Sequence, residues 1–295
     1  MKKSNSNSRK ARVPFVLRFL RLMYNTLGRV FPVYFGHRTY QLWFTTTRFK
    51  TPTYERPALE SAKKEFLEVN KVKVAVYLWQ HDTIKPRATL LFIHGWTGRG
   101  SQIASYLEQL TQLGYRVISF DGPAHGNTPG KQTSALEITD VVFALNKQYG
   151  DFDAAITHSF GGMILTFAMS LGLKIKRAVL ICPPNNFQII LDNFQQVLQL
   201  PDSVMQAMER KFFATHGQIT RELVDMENNA KKMTCKTLII HDEDDMEISW
   251  HSSEKITRVW PGAKFIKTQG LGHRRILRDQ QVIQHIIDFM DTDNT

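Results

Sequence analysis

Apolar residues in this chain fall into two alternating patterns from residue 88 onward. Short, nearly unbroken apolar runs occupy 89–93, 115–120, 153–156, 178–181, 237–240 and 264–267. Runs of that length and composition predict strands buried on both faces. Between them apolar residues recur three and four apart: Ile103, Tyr106, Leu107, Leu110 and Leu113, then Ile138, Val141, Val142 and Leu145, then 163–171, and finally Val282, Ile283, Ile286, Ile287 and Met290. That spacing predicts helices with one buried face, and Ser134 with Glu137 three residues on marks a helix start. Strands alternating with helices predict a mostly parallel sheet covered on both faces, with chemistry at the carboxyl ends of the strands. One stretch breaks the alternation. Residues 185–234 lack strand-like runs and place Ile190, Phe194, Val197 and Leu198, then Val204, Met205, Met208 and Phe212, at helical spacing.

Polar clusters sit where strands should end. They are His94-Gly95-Trp96-Thr97-Gly98, Asp121-Gly122-Pro123-Ala124-His125-Gly126, His241-Asp242-Glu243-Asp244-Asp245 and Gly270-Leu271-Gly272-His273. The most informative is Thr157-His158-Ser159-Phe160-Gly161-Gly162, placed where a strand gives way to a helix. Small residues beside a serine at such a junction allow a sharp turn with the hydroxyl at its apex. The free N–H groups of the following helix then favour negative charge at that point.

This order of parts resembles the α/β-hydrolase superfamily over residues 60–295. The resemblance implies an α/β-hydrolase fold: a mostly parallel sheet with helices on both faces and a small helical cap. It divides the chain into a basic amphipathic extension (1–55), the hydrolase core (56–184 and 235–295) and a helical cap insertion (185–234). Carried over by position, it makes Ser159 the nucleophile, Asp245 the acid after the penultimate strand and His273 the base. The oxyanion hole would be the backbone N–H groups of Trp96 and Phe160, and no cofactor or metal is implied. Two departures stand out: Thr157 replaces the first glycine of Gly-x-Ser-x-Gly, and Asp242 replaces the glycine of His-Gly-x-x-Asp. A β-branched residue at 157 would tighten the elbow and narrow the pocket.

The expected chemistry is a serine hydrolase that cleaves a carboxylic ester or lipid-like acyl substrate through an acyl-enzyme. The imidazole takes the hydroxyl proton, the carboxylate orients the imidazole, and fixed donors hold the oxyanion. Thioesterase or acyltransferase chemistry uses the same residues. The rival from another class is a noncatalytic, membrane-associated binding protein on this fold. Histidines 94, 125 and 158 are expected to be structural, and no histidine or cysteine spacing marks a metal site. Cys182 and Cys235, the only two cysteines, are expected as buried free thiols.

Charge adds one feature. Net charge is +11, yet residues 1–50 hold eleven of the 38 Lys and Arg and none of the 27 Asp and Glu, so the rest of the chain is balanced. After a polar stretch at residues 1–10, expected to be disordered, the segment becomes rich in Phe, Leu, Val and Tyr. Arg18, Arg21, Asn25 and Arg29 fall on one helical face. That composition suits a helix lying in a membrane interface or folded back on the protein with its arginines solvated. Arginines interrupt each apolar run well short of a membrane span, and no secretory signal pattern stands out. The expected partners are a small acyl or ester substrate and an anionic membrane surface through residues 1–50, with no nucleic acid. The expected location is cytoplasmic, peripheral on the inner face of the membrane.

Overall fold

The computed structural model describes residues 14–217 and 219–291. Its centre is an eight-stranded sheet: β1 (Lys63–Val69), β2 (Val72–Trp79), β3 (Ala88–Ile93), β4 (Tyr115–Phe120), β5 (Ala154–His158), β6 (Arg177–Ile181), β7 (Lys236–Asp242) and β8 (Lys264–Thr268). Their spatial order is β1-β2-β4-β3-β5-β6-β7-β8. β1 and β2 pair antiparallel, as do β2 and β4. The pairs from β4 to β8 are all parallel.

Parallel strands buried on both faces need two cores, and the side-chain alternation supplies them. On β3, Leu91 and Ile93 point into one cluster with Val141, Val142, Ile164 and Leu165. Leu90 and Phe92 point into the other with Ile103, Leu110, Ile283 and Ile286. The sheet is thus mostly parallel and flanked by helices on both sides, with a helical cap region between β6 and β7. Six strands follow the expected runs. β1 and β2 were not expected: Lys63–Val69 is charge-rich, lacks a continuous apolar run and has one exposed side. The legible signal there was Asn70-Lys71, both at positive φ (49° and 65°), a two-residue hairpin turn.

Among the described residues the chain forms two compact units: Phe44–Leu191 with the residues after Gly217, which carries the sheet, and the residues up to Trp43 with Asp192–Gly217. In the second unit, helices α1 (Phe15–Asn25), α2 (Leu27–Val30) and α3 (Pro32–Trp43) join the helix Asp202–His216. Glycines permit the close approach. A Cβ on Gly36 would lie 2.5 Å from Ala207 Cβ, and one on Gly28 would lie 3.3 Å from Val204. Tyr24 and Phe35 meet edge to face at 5.4 Å, and Trp43 meets Phe194 at 5.1 Å.

The polar face expected on α1 is divided. Arg21 donates from Nη2 (2.8 Å) and Nε (3.0 Å) to the Val197 carbonyl, at the carboxyl end of the helix Phe187–Leu198. A cation there meets unpaired carbonyls and the negative end of the dipole. Asn25 donates to Gln199 O at 3.1 Å, while Arg18 and Arg29 stay exposed. Arg21 is therefore a docking group rather than a solvated one. Residues 1–10, read as disordered, lie outside the described residues. No described helix is long and apolar enough to cross a membrane.

Candidate active site

Ser159 stands alone between β5 and the helix Phe160–Ser170, with φ 53° and ψ −122°. A non-glycine residue held there stores about 1–3 kcal/mol, so its surroundings must fix it. Ser159 N–H donates to Ile181 O at 2.8 Å, and Gly162 N–H donates to Ser159 O at 2.9 Å. A Cβ on Gly161 would sit 2.3 Å from the Ile93 carbonyl oxygen, so only glycine lets the helix pass β3 this closely. Thr157 is fully buried, with its hydroxyl 3.4 Å from Val179 O. It faces Gly162, where a Cβ would lie 3.5 Å from Thr157 Oγ1. The departure from glycine is absorbed beneath the turn and forms no pocket wall.

The loop after β3 lies against this turn: a Cβ on Gly95 would be 3.0 Å from Ser159 Cβ. The Trp96 and Phe160 rings meet edge to face at 5.5 Å. Among the described residues, the backbone N–H groups of these two residues have no protein acceptor. Two histidines shape the loop. His94 lies with Nδ1 2.7 Å from Gly95 O and accepts from Gly122 N–H at Nε2 (2.9 Å). His125 accepts from Thr97 N–H at Nε2 (3.1 Å), with Nδ1 2.9 Å from Pro123 O. Burial lowers the pKa of His94 to about 4 and of His125 to about 3, so both are neutral struts.

The opposite side is built from the loop after β7. Asp245 Oδ2 accepts from His273 Nδ1 at 2.6 Å and from His241 Nε2 at 3.1 Å. Its Oδ1 accepts from the N–H groups of Glu247 (2.8 Å) and Ile248 (2.9 Å). Burial alone would raise this carboxyl's pKa; the bonds from His241 and His273 override it and hold it well below the usual range. His241 is fixed on its far side by Ser253 Oγ, 2.6 Å from Nδ1. Asp242 holds the loop that carries His273, accepting from Gly272 N–H (2.8 Å) and Thr268 Oγ1 (2.7 Å). Asp244 accepts from Gly270 N–H at 2.9 Å. His158 Nε2 lies 2.8 Å from the His273 carbonyl, and burial lowers its pKa to about 3. Asp242, one of the two departures from the family pattern, thus clamps the His273 loop. Sequence reasoning missed His241 and Asp242 in these roles, because Ser253, Thr268 and Gly272, which they bond, lie 12 to 30 residues away.

The expectation of carboxylic-ester cleavage through a closed Ser–His–Asp relay requires correction. Asp245 and His273 are brought together, but the Ser159 hydroxyl, half-buried at the turn, makes no hydrogen bond to the His273 imidazole. The nucleophile-type, imidazole and carboxylate groups that do cluster among the described residues are Cys182, His241 and Asp245, whose ligating atoms all lie within 4.8 Å of one another. The physical reason is the chain path: β6 and β7 are neighbours, so Cys182 at the end of one faces the loop after the other. These three donor types also suit a divalent cation, but they already serve each other. His241 and Asp245 are hydrogen-bonded at 3.1 Å, and burial pushes the Cys182 pKa well above the usual thiol value.

A model of the alpha/beta hydrolase family matches residues 90–285. The chain belongs to this family. One curated relative is a lysophosphatidylserine lipase, ABHD12 of Xenopus tropicalis, 24% identical over 227 residues that cover 68% of this chain. The chain spans 57% of that relative's length. A putative lipase of Acinetobacter baumannii superposes with TM-score 0.61 at 20% identity, covering 84% of this chain and all of that one. A membrane phospholipase A described as a bacterial virulence factor gives TM-score 0.62 at 16% identity, over 95% and 99% of the two chains. The likeness to these structures is one of fold. Family, fold and the acid–imidazole clusters support an α/β-hydrolase-type enzyme, without singling out a serine carboxylesterase.

Proposed function

We propose that this α/β hydrolase is an acyl-transfer enzyme of the thioesterase or acyltransferase kind. In this reading Ser159 accepts the acyl group, His273, oriented by Asp245, takes and returns the proton, and the Trp96 and Phe160 N–H groups receive the oxyanion. The single observation that carries it is the half-buried Ser159 at the elbow turn, not hydrogen-bonded to the His273 imidazole that Asp245 orients at 2.6 Å. An oxygen ester needs strong base assistance and protonation of its leaving group. A thioester has a more electrophilic carbonyl and releases a stable thiolate, so it asks less of the base. The Ser159 oxygen bonds to the carbonyl carbon, its proton passes to His273 Nε2, the C–S bond breaks, and the thiolate takes that proton. Water or another hydroxyl then removes the acyl group by the reverse path. A lipid-type acyl chain, drawn from a membrane surface, is supported by the lipase named among the relatives and by the Phe and Met content of residues 185–234.

The test is to mix the protein with a soluble fatty-acyl thioester, quench in acid and locate the adduct by peptide mass spectrometry. The expected result is an acyl ester on Ser159 that fails to form in H273A. An adduct on Cys182 would replace this reading with a thiol mechanism, and no adduct on folded protein would favour the binding-protein rival.

A further inference from the structure

The helices up to Trp43 are amphipathic in an unusual sense, because both faces carry apolar residues and one is already used. Tyr24, Phe35, Gly36 and Thr39 face inward, packed within their own unit. On the side of α1 away from Tyr24 stand Phe15 (80% exposed), Val16, Phe19 and Leu22 (62% exposed). Exposed apolar residues continue past α1 with Leu27, Val30 (67% exposed), Phe31 and Tyr34. Arg18, Arg29, His37 and Arg38 are exposed among these residues, and residues 1–50 contain no carboxylate.

We infer that this face is the docking surface for an anionic lipid bilayer, with the Phe, Leu and Val side chains entering the acyl boundary and the arginines meeting the headgroups. Charge decides between lipid and the other ready occupant, a second copy of this chain. An isologous dimer would bring cation against cation across the same patch, whereas anionic headgroups neutralise it. The arrangement also fits an interfacial helix: aromatic and aliphatic residues on one side, and long basic side chains able to extend to the polar layer. Arg21 and Asn25 do not belong to this surface, since they hold Val197 and Gln199. The inference deepens the membrane source of substrate proposed above and rests on no catalytic assignment.

Deleting the segment would be a poor test. It would strip the cover from Val204 and Ala207, against which Gly28 and Gly36 pack. The decisive variant is the triple substitution F15S/F19S/F31S in the full chain, all three at exposed positions, with a companion R18A/R29A/R38A. Each is mixed with sucrose-loaded vesicles of phosphatidylglycerol and phosphatidylcholine, or of phosphatidylcholine alone, and sedimented without any acyl donor. The expected result is wild-type co-sedimentation with anionic vesicles that weakens in 0.5 M salt. Partition should fall at least tenfold in F15S/F19S/F31S and severalfold in R18A/R29A/R38A, with thermal unfolding unchanged. Failure of the wild type to bind anionic vesicles, or equal binding by F15S/F19S/F31S, overturns the inference. So does a lipid-free wild-type dimer that becomes monomeric in F15S/F19S/F31S, which would assign the face to self-association. Acylation of Ser159 by a soluble thioester is read separately, so either proposal can fail without the other.

Discussion

Asp242 ends β7 and Asp245 lies three residues on, in the loop that follows, and their partners divide their work. Asp245 takes donors from two imidazoles and two backbone amides. Asp242 takes its donors from Thr268 and from Gly272, the residue before His273. D245N removes the anion that fixes the His273 tautomer. Turnover of a soluble thioester is expected to fall about 10³–10⁴-fold in kcat, with KM within about threefold; a loss seen mainly in KM would place Asp245 in binding instead. Asp242 should act through stability and loop position. Burial would raise its pKa, but the bonds from Gly272, Thr268 and their neighbours bring it below the usual value. A carboxyl with a depressed folded pKa contributes its full stability above about pH 4 and loses it as pH falls through the folded value. The urea midpoint of D242N is therefore expected to fall less steeply than that of the wild type between pH 4 and 2.5. Parallel curves would show that the clamp is not coupled to protonation.

At the scale of elements, the crossing of the helix Phe160–Ser170 over β3 has no slack. With 2.3 Å between a Cβ at 161 and a backbone oxygen, G161A must shift either the helix or the strand. The expected cost is about 2–4 kcal/mol, read as a lower urea midpoint at unchanged slope, together with lost activity. G150A is the control, since nothing lies within 4 Å of a Cβ there, though its φ of 87° makes that residue strained in its own right. Elements of this kind were legible in the sequence. Buried parallel strands need continuous apolar runs, and their helices need a three-to-four repeat, so the order from β3 to β8 could be read directly. The glycines around Ser159 marked the elbow for the same steric reason. What escaped was whatever depends on partners distant in sequence. β1 is an edge strand, charge-rich and exposed on one side, and its pairing shows only through the Asn70-Lys71 turn. The fixing of His241 by Ser253, and of the His273 loop by Asp242 and His158, is invisible without the sheet register that brings β6, β7 and β8 together. The division of the α1 polar face has the same origin, since only folding shows that Arg21 meets the end of a helix 176 residues away.

For the molecule as a whole, the buried histidines set its response to mild acid. His94, His125 and His158 are all nearly free of solvent, and burial is the first cause of each depressed pKa. For His125 and His158 a neighbouring histidine adds to the lowering. In the unfolded chain each would titrate near its ordinary value of about 6.5. Their neutral forms are bound to the loops after β3, β4 and β8, so protonation favours unfolding. The stability they confer is complete above about pH 6.5 and is lost as pH falls toward the folded values of about 3 to 4. Each group whose unfolded form is protonated while its folded form is not contributes about 1.4 kcal/mol per pH unit, so three together approach about 4 kcal/mol per pH unit near pH 5. Against a total stability of about 5–15 kcal/mol, that slope is large. Urea unfolding at half-unit steps from pH 7 to 4.5 should show uptake approaching three protons, well above the window in which Asp242 and Asp245 act. H125Q should lower the slope by about one proton whatever it does to stability at pH 7. A slope near two protons across that range would mean that one imidazole is already charged in the folded protein. Its hydrogen bond to the backbone N–H of Gly122 or Thr97, or the contact that holds the His273 loop, would then need a different donor and acceptor assignment.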